Sequence, residues 1–435
     1  MTSFTIFLAR LSATSSLKLM LVSPILLVPL SSLAAPFEMV EKMPQNQVAI
    51  VPFAGDTTMS SIILNDLGQT ELKVISRDLP QQPHSSSELA GSLPAWQNLG
   101  IAYLVIGSTR TNRGKIFTDY EVINLSTGQV IQGKQSLSAD NNEKSVRYAA
   151  HMIADKVYEL ITDTIGDFSG RIAYVEEIEV GKNKISRLKF MDTDGENTKT
   201  ITEVNGSIYS PAWSPDGSKI AYSVQRDKSY QTIYVQNVNG GGATSVTPYN
   251  GTSISPSFSP DGSKILFSGS HEGSADIYEI NTAGGGLIKL TDWVSSESQP
   301  SYAPDGKSFV FVSNKAKFST PEIYRYEFGS GRISKVSNSG YATSPKFNND
   351  GSQIGFLNGS STAIMDNTGK IIADLGKAGL DEGISFSPSG KRIVYAARQD
   401  GKAILVIKSL NGGASFGKAG EGIIRSPVWS ATPNR

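Results

Sequence analysis

The stretch SPAWSPDGSKIAY, Ser210–Tyr222, sets a proline, an aromatic residue and a Ser-Pro-Asp-Gly quartet directly ahead of an apolar run. It returns as SPSFSPDGSKILF (Ser255–Phe267), QPSYAPDGKSFVF (Gln299–Phe311) and SPKFNNDGSQIGF (Ser344–Phe356). A looser copy, GISFSPSGKRIVY, covers Gly383–Tyr395, and a truncated one, SPVWSATPNR, runs from Ser426 to the end. A catalytic motif usually occurs once, whereas a recurring one is architecture.

The aromatic positions Trp213, Phe258, Tyr302, Phe347, Phe386 and Trp429 follow one another at 45, 44, 45, 39 and 43 residues. A period of ~40–50 residues holding four short strands is the mark of a β-propeller. The aromatic stretch is strand one, and the run after it (KIAYSV, KILFSG, KSFVFVS, KRIVYAA) is strand two. Strand three is TIYVQNV, DIYEIN or EIYRYEF, and strand four is ATSVTP, LIKLTD or ISKVSN. Ser-Pro-Asp-Gly reads as the turn joining strands one and two, because proline presets φ, Asp suits the third position and Gly ends the turn. The second strands are apolar on both alternating sets, as expected where neighbouring blades cover both faces.

The ends complete the count. GRIAYV (Gly170–Val175), SRLKFMD (Ser186–Asp192) and KTITEV (Lys199–Val204) supply strands two, three and four without a strand one, and PVWSA (Pro427–Ala431) is a strand one with nothing after it. Paired, they close a ring of six blades over residues 169–435 and leave no free sheet edge.

Residues 35–168 differ in kind. QVAIVPF (Gln47–Phe53), LKVI (Leu72–Ile75), YLVIGS (Tyr103–Ser108), IFTDYEVIN (Ile116–Asn124) and QVIQGKQSL (Gln129–Leu137) read as strands. Val146, Ala149, Ala150, Ile153, Val157, Leu160 and Ile161 recur at helical spacing, with Asp140 and Glu143 as the expected N-terminal cap. The fold expected is therefore an α/β N-terminal domain followed by an all-β six-bladed propeller.

At the start of the chain, Arg10 and Lys18 precede the apolar stretch LMLVSPILLVPLSSL (Leu19–Leu33). A basic segment, a short apolar segment and small residues at Ser32-Leu33-Ala34 read as a secretory signal peptide over residues 1–34, cleaved after Ala34. The apolar run is interrupted by Pro24 and Pro29 and is short of the ~20 residues a membrane span needs. The chain has 435 residues, 40 basic and 40 acidic side chains and no long charge run, so nothing marks a nucleic-acid binder. Cysteine is absent, which excludes disulfides, thiolate metal sites and a cysteine nucleophile.

Motifs that resemble chemistry read as structure. Gly413-Ala414-Ser415-Phe416-Gly417 matches G-x-S-x-G, but no helical periodicity and no histidine follow it. Asp192-x-Asp194-Gly195-Glu196-Asn197 begins like a calcium loop but has Asn197 where the loop needs glycine, and Gly195 suits a hairpin. Gly240–Gly242 and Gly284–Gly286 recur at one place in two blades and precede strands, so they are turns. His84, His151 and His271 are too scattered for a metal cluster. No catalytic residue, cofactor or metal is expected.

What remains is a surface. Strands one line a propeller's tunnel, so the segments entering them ring its mouth. They hold Tyr209 and Ser210, then Thr252, Ser253, Ile254 and Ser255, then Ser298 and Gln299. Thr343 and Ser344 follow, and then Asp381 and Glu382. Short polar side chains beside Tyr, Ile and Leu suit protein recognition better than catalysis.

The mature chain resembles the TolB family, periplasmic proteins of the Tol-Pal system of Gram-negative bacteria. The matching residues are VAIVPF (Val48–Phe53), RYAAHMIADKVYELITDTIGDF (Arg147–Phe168), RIAYV (Arg171–Val175) and the Ser-Pro-Asp-Gly repeats. The helix followed at once by RIAYV is the specific part, because it joins this domain to this propeller. The resemblance implies a non-enzymatic periplasmic scaffold that supports outer-membrane integrity and envelope constriction during cell division. It implies that the mouth residues bind the lipoprotein Pal, with other outer-membrane or peptidoglycan-associated proteins as further partners. It also implies that the mature N-terminus, Ala35, Pro36, Phe37, Glu38, Met39, Val40 and Glu41, binds TolA. Family members can carry a histidine in the segment before Pro256, where this chain has Thr252–Ser255. Two other classes stay open: a metal-dependent, lactonase-like propeller hydrolase, and a peptidoglycan- or sugar-binding propeller.

Overall fold

Alternation along the first strand divides the N-terminal domain into two cores. In a computed structural model, the described residues are 46–181, 183–226, 229–248, 250–317, 320–377, 383–411 and 416–431. Strands β1 (Gln47–Ile50), β2 (Lys73–Ile75), β3 (Tyr103–Asn112), β4 (Lys115–Asn124) and β5 (Gln129–Asp140) form one sheet in the order β2-β1-β3-β4-β5. β1 runs parallel to β2 and β3, and β3, β4 and β5 form an antiparallel meander. Val48 and Ile50 point to one face, where helices α1 (Thr58–Leu67) and α4 (Glu143–Thr162) pack. Ala49 and Val51 point to the other, beneath Leu89 and Trp96 of the short helices α2 (Ser86–Leu89) and α3 (Leu93–Gln97).

One local expectation is corrected, and one element is added. The cap of α4 is Asn142, whose side-chain oxygen accepts from the Ser145 amide at 3.0 Å. Asp140 instead ends β5, paired with Lys115, and its backbone is committed to the sheet. Helix α1 was not read from the sequence, although Met59, Ile62, Ile63 and Leu67 follow helical spacing and are buried.

The propeller has six four-stranded antiparallel sheets. In blades one to five, strand one is innermost: Ser207–Trp213, Ser253–Phe258, Glu297–Tyr302, Ala342–Phe347 and Ser385–Phe386. The closing blade takes strands two to four from Arg171–Val180, Asn183–Asp192 and Lys199–Asn205, and its strand one is Ile423–Trp429 from the far end of the chain. Each Ser-Pro-Asp-Gly turn is held by its own side chains. In the first, the Gly217 amide donates to the Ser214 carbonyl at 2.9 Å, Asp216 Oδ1 accepts from the Ser218 amide at 3.0 Å, and Gly217 sits at φ +66°. A β-branched residue there would be strained.

In an up-and-down blade, the one–two and three–four turns lie at the same end. The N-terminal domain docks at that end. Ser389 Oγ, in the one–two turn of blade five, donates to Asp167 Oδ2 at 2.6 Å, and Arg147 of α4 pairs with Asp194 in the three–four turn of the closing blade. Within α4, buried Asp155 accepts from the Phe168 amide at 2.7 Å and the Ser169 amide at 3.2 Å, which fixes the chain as it enters the propeller.

Between the two bodies, His151 is buried with Nδ1 2.7 Å from Asp66 Oδ2 and Nε2 3.4 Å from Asp194 Oδ2. Burial alone would push the imidazole down, but the two carboxylates overcome it and hold His151 up to about 10. A folded-state pKa above the unfolded value gives stability that is complete below ~6.5 and lost as pH rises through the folded value. Replacing His151 by Asn should therefore remove a slope in stability between pH 6.5 and 10, worth at least ~1 kcal/mol. Thermal melts across that range, compared as the difference between parent and variant, check it. A constant difference would mean that His151 carries no interfacial charge.

Candidate functional site

Proline cannot donate to a ladder, so it enters a sheet at an edge or a bulge. Here the innermost strand is the edge, and the residue before each proline takes a left-handed backbone. Ser210, Ser255, Gln299, Ser344 and Ser426 have φ of +48°, +56°, +52°, +55° and +47°. The pairing of strands one and two shifts register at each of these places. Such conformations are disfavoured in residues with a side chain, and bulges of this kind re-aim side chains. All five residues line one void of about 170 Å³ on the propeller axis, together with Tyr209, Pro211, Lys346, Gly383, Ile384 and Val428.

The expected mouth residues thus divide. Tyr209, Ser210, Ser255, Gln299 and Ser344 come together around this void. Thr252, Ile254, Ser298 and Thr343 are half-buried and do not line it. Ser253 is fully buried, because it already lies within strand one of blade two and pairs with Gly269, so a direct partner contact there is corrected. Asp381 and Glu382, and the whole segment Ala35–Glu41, lie outside the described residues, as do the signal-peptide segment and Gly413–Ser415 of the G-x-S-x-G match. Phe416 and Gly417 belong to a strand, Phe416–Ala419.

The sequence reading missed two residues. His271 Nε2 lies 3.1 Å from Ser253 Oγ, and burial pushes its imidazole down. A histidine therefore stands beside the Pro256 segment, supplied by the loop after strand two rather than by that segment. Lys346 in strand one of blade four also faces the void, and burial pushes its ammonium down to about 8. Its half-buried surface opens onto the void itself. At the rim, burial pushes Glu297 up to about 7, against hydrogen bonds from Ser295 Oγ at 2.6 Å and Ser313 Oγ at 2.9 Å.

The mouth end also carries apolar surface. Val294 and Tyr341 lead into strands one and are 91% and 48% exposed, and Tyr230 in a two–three loop is 59% exposed. This end is opposite the docked N-terminal domain. On the docked side, His151, Asp192 and Asp194 bring potential ligand atoms within 4.8 Å of one another. The Arg147 guanidinium already holds Asp194, and Asn197 Nδ2 donates to Asp192 Oδ2 at 2.6 Å, so the cluster is internally paired rather than shaped for a cation.

A six-bladed propeller that carries an α/β domain on its turn face and a polar axial void at the other defines the class as a two-domain propeller protein. A family model described as the TolB beta propeller domain matches residues 158–433. The chain is 36% identical over 197 residues to the Tol-Pal system protein TolB of Acinetobacter baylyi, covering 45% of each chain. It is 34% identical over 199 residues to the Tol-Pal system protein TolB of Methylococcus capsulatus, covering 45% of this chain and 46% of that one. The matched stretches thus span about half the length of these curated relatives. The crystal structure of TolB from Acinetobacter baumannii superposes with a TM-score of 0.77 at 31% identity, over 88% of this chain and 96% of that one. The chain belongs to the TolB family. Among the described residues, no helix is long and apolar enough to cross a membrane.

Proposed function

We propose that the protein is the non-enzymatic periplasmic scaffold of a Tol-Pal system. It binds Pal on the mouth face of the propeller and TolA through Ala35–Glu41, and so supports outer-membrane integrity and envelope constriction at division. Family membership supports the system, and one structural observation supports the face. The mouth is the end that the N-terminal domain leaves open, and it places Val294 and Tyr341 in solvent on segments leading into strands one. Exposed apolar side chains rimmed by polar ones mark protein interaction sites.

The test is capture of purified Pal and of purified TolA by the intact mature chain. Val294→Arg or Ser255→Arg should weaken Pal binding at least ~10-fold, the size expected where a central contact worth ~1.4 kcal/mol is lost. Val294→Arg should leave melting unchanged, since its side chain lies in solvent. Removing Ala35–Glu41 should abolish TolA capture and leave Pal capture intact. Parental Pal affinity in both mouth variants would place the contact on another face.

A further inference from the structure

Among the described residues, the lining of the axial channel carries charge at one point. Lys346 lines the mouth-side void of about 170 Å³ with Ser210, Ser255 and Ser344. It also lines a second void of about 160 Å³ among blade four, blade five and the closing blade, walled by Asn349, Ser385 and Ser430. Among the described residues, Lys346 is the one residue common to both linings and the one charged side chain in either. No carboxylate among the described residues pairs with it, and burial is the one influence acting on its charge.

An uncompensated cation in such a place is unfavourable unless something supplies the opposite charge. Three other buried or half-buried cations show such a partner: Arg392 has Asp167, Lys189 has Glu176, and Lys289 has Asp276 at 3.1 Å. Around Lys346 there are hydroxyls instead. Those of Ser210 and Ser255 have no hydrogen-bond partner among the described residues, and Ser344 Oγ accepts from Gln299 Nε2 at 3.3 Å, which leaves its own proton free to donate. Each of these three serines is itself the left-handed residue of its bulge, which sets it on the lumen wall.

We propose that the axial void is a binding site for one small carboxylate, held by the Lys346 ammonium and the serine hydroxyls of the mouth. The charge count of the described lining fits a monoanion, since a dianion would leave net negative charge against the single cation there. Two carboxylate oxygens offer about four acceptor sites, which matches an ammonium and several hydroxyl donors better than a halide does. The ligand has two sources of the same chemistry: a free small carboxylate, or a carboxylate presented on a protein docked at the mouth. The site needs neither Pal nor TolA, so it stands independently of the function proposed above.

The experiment acylates the intact mature protein at pH 7 with an amine-reactive reagent and follows Lys346 by peptide mass mapping, at constant ionic strength in sodium chloride. Acetate, or the N-acetylated tripeptide acetyl-Gly-Ala-Ala compared with its C-terminal amide, is titrated in. A bound carboxylate keeps Lys346 protonated and covered, so saturating ligand should slow its acylation at least ~5-fold while other lysines react unchanged. Protection by acetate identifies a free carboxylate, and protection by the peptide acid alone identifies a presented one. Lys346→Met, matched in shape and uncharged, controls for folding and should lose the saturable thermal shift that acetate gives the parent. Three results would overturn the proposal. Lys346 reacts at one rate with every ligand; Lys346→Met shows the parental thermal shift; or Asp381→Asn or Glu382→Gln unmasks Lys346, meaning that the chain fills the site with its own carboxylate.

Discussion

Deletion of Pro427–Arg435 is expected to lower the melting temperature by roughly 10–15 °C, because it opens the ring. The closing strand pairs Val428 with Ala173 and Trp429 with Ile172, and these two registers go with the deletion. The Ser430 amide donates to the Arg171 carbonyl at 2.8 Å, and Ser430 Oγ accepts from the Arg171 amide at 2.9 Å, so both backbone groups of Arg171 lose their partners. Trp213 Nε1 loses its acceptor, the Val428 carbonyl at 3.1 Å. Trp429 is itself buried among Ile172, Tyr174, Met191 and Ile424.

Truncating one buried tryptophan costs ~3–5 kcal/mol, against the ~5–15 kcal/mol that a folded domain has in total. At ~2–4 °C per kcal/mol for a body of this size, the stated drop follows. Calorimetry checks it, and Trp429→Phe, which keeps the strand, should lose much less. A truncated chain that melts within ~2 °C of the parent would mean that the ring is held closed by other blades.

Why the ring was legible and its lumen was not follows from the kind of signal each leaves. The turns recur with proline and glycine at fixed positions, because the backbone there has few alternatives, and so the blade period stands in the sequence. The left-handed residues before Pro211, Pro256, Pro300, Pro345 and Pro427 are mostly serines, which carry no such mark. The proline inside an innermost strand was the signal available, since it demands an edge or a bulge. Lys346 in SPKF reads like any solvated lysine until the ring closes around it, because its isolation comes from strands of other blades. Ser253 looked like a loop residue for the opposite reason: its strand begins three residues before the proline. Similarly, His151 stands on a readable helix, but Asp66 and Asp194, which hold its charge, are 85 residues before it and 43 after it.

Asp167→Ala should be among the most damaging single substitutions, at ~3–5 kcal/mol, because it strands a buried guanidinium. Arg392 in strand two of blade five is 3% exposed. Its Nη2 pairs with Asp167 Oδ1, and its Nη1 donates to Gln69 Oε1 at 3.3 Å. The guanidinium also lies 4.7 Å from the centre of the Phe168 ring and 4.9 Å from that of Trp429. One cation thus ties the N-terminal domain (Gln69), the connecting segment (Asp167, Phe168) and the closing strand (Trp429) to blade five. With Asp167 gone, the glutamine oxygen and the two ring faces remain, and neither supplies a full opposite charge. The buried positive charge then opposes docking. Asp167→Asn, which keeps the shape and a hydrogen-bond acceptor, should fall between parent and Asp167→Ala. Removing both charges in Asp167→Ala with Arg392→Met should recover part of the loss, since a neutral side chain tolerates the site better than an unpaired cation. Calorimetric melts of the four proteins form the cycle, and faster proteolysis near residues 163–168 in Asp167→Ala would report undocking. If the double variant proves no more stable than Asp167→Ala, the loss comes from packing around Asp167 and not from the stranded charge.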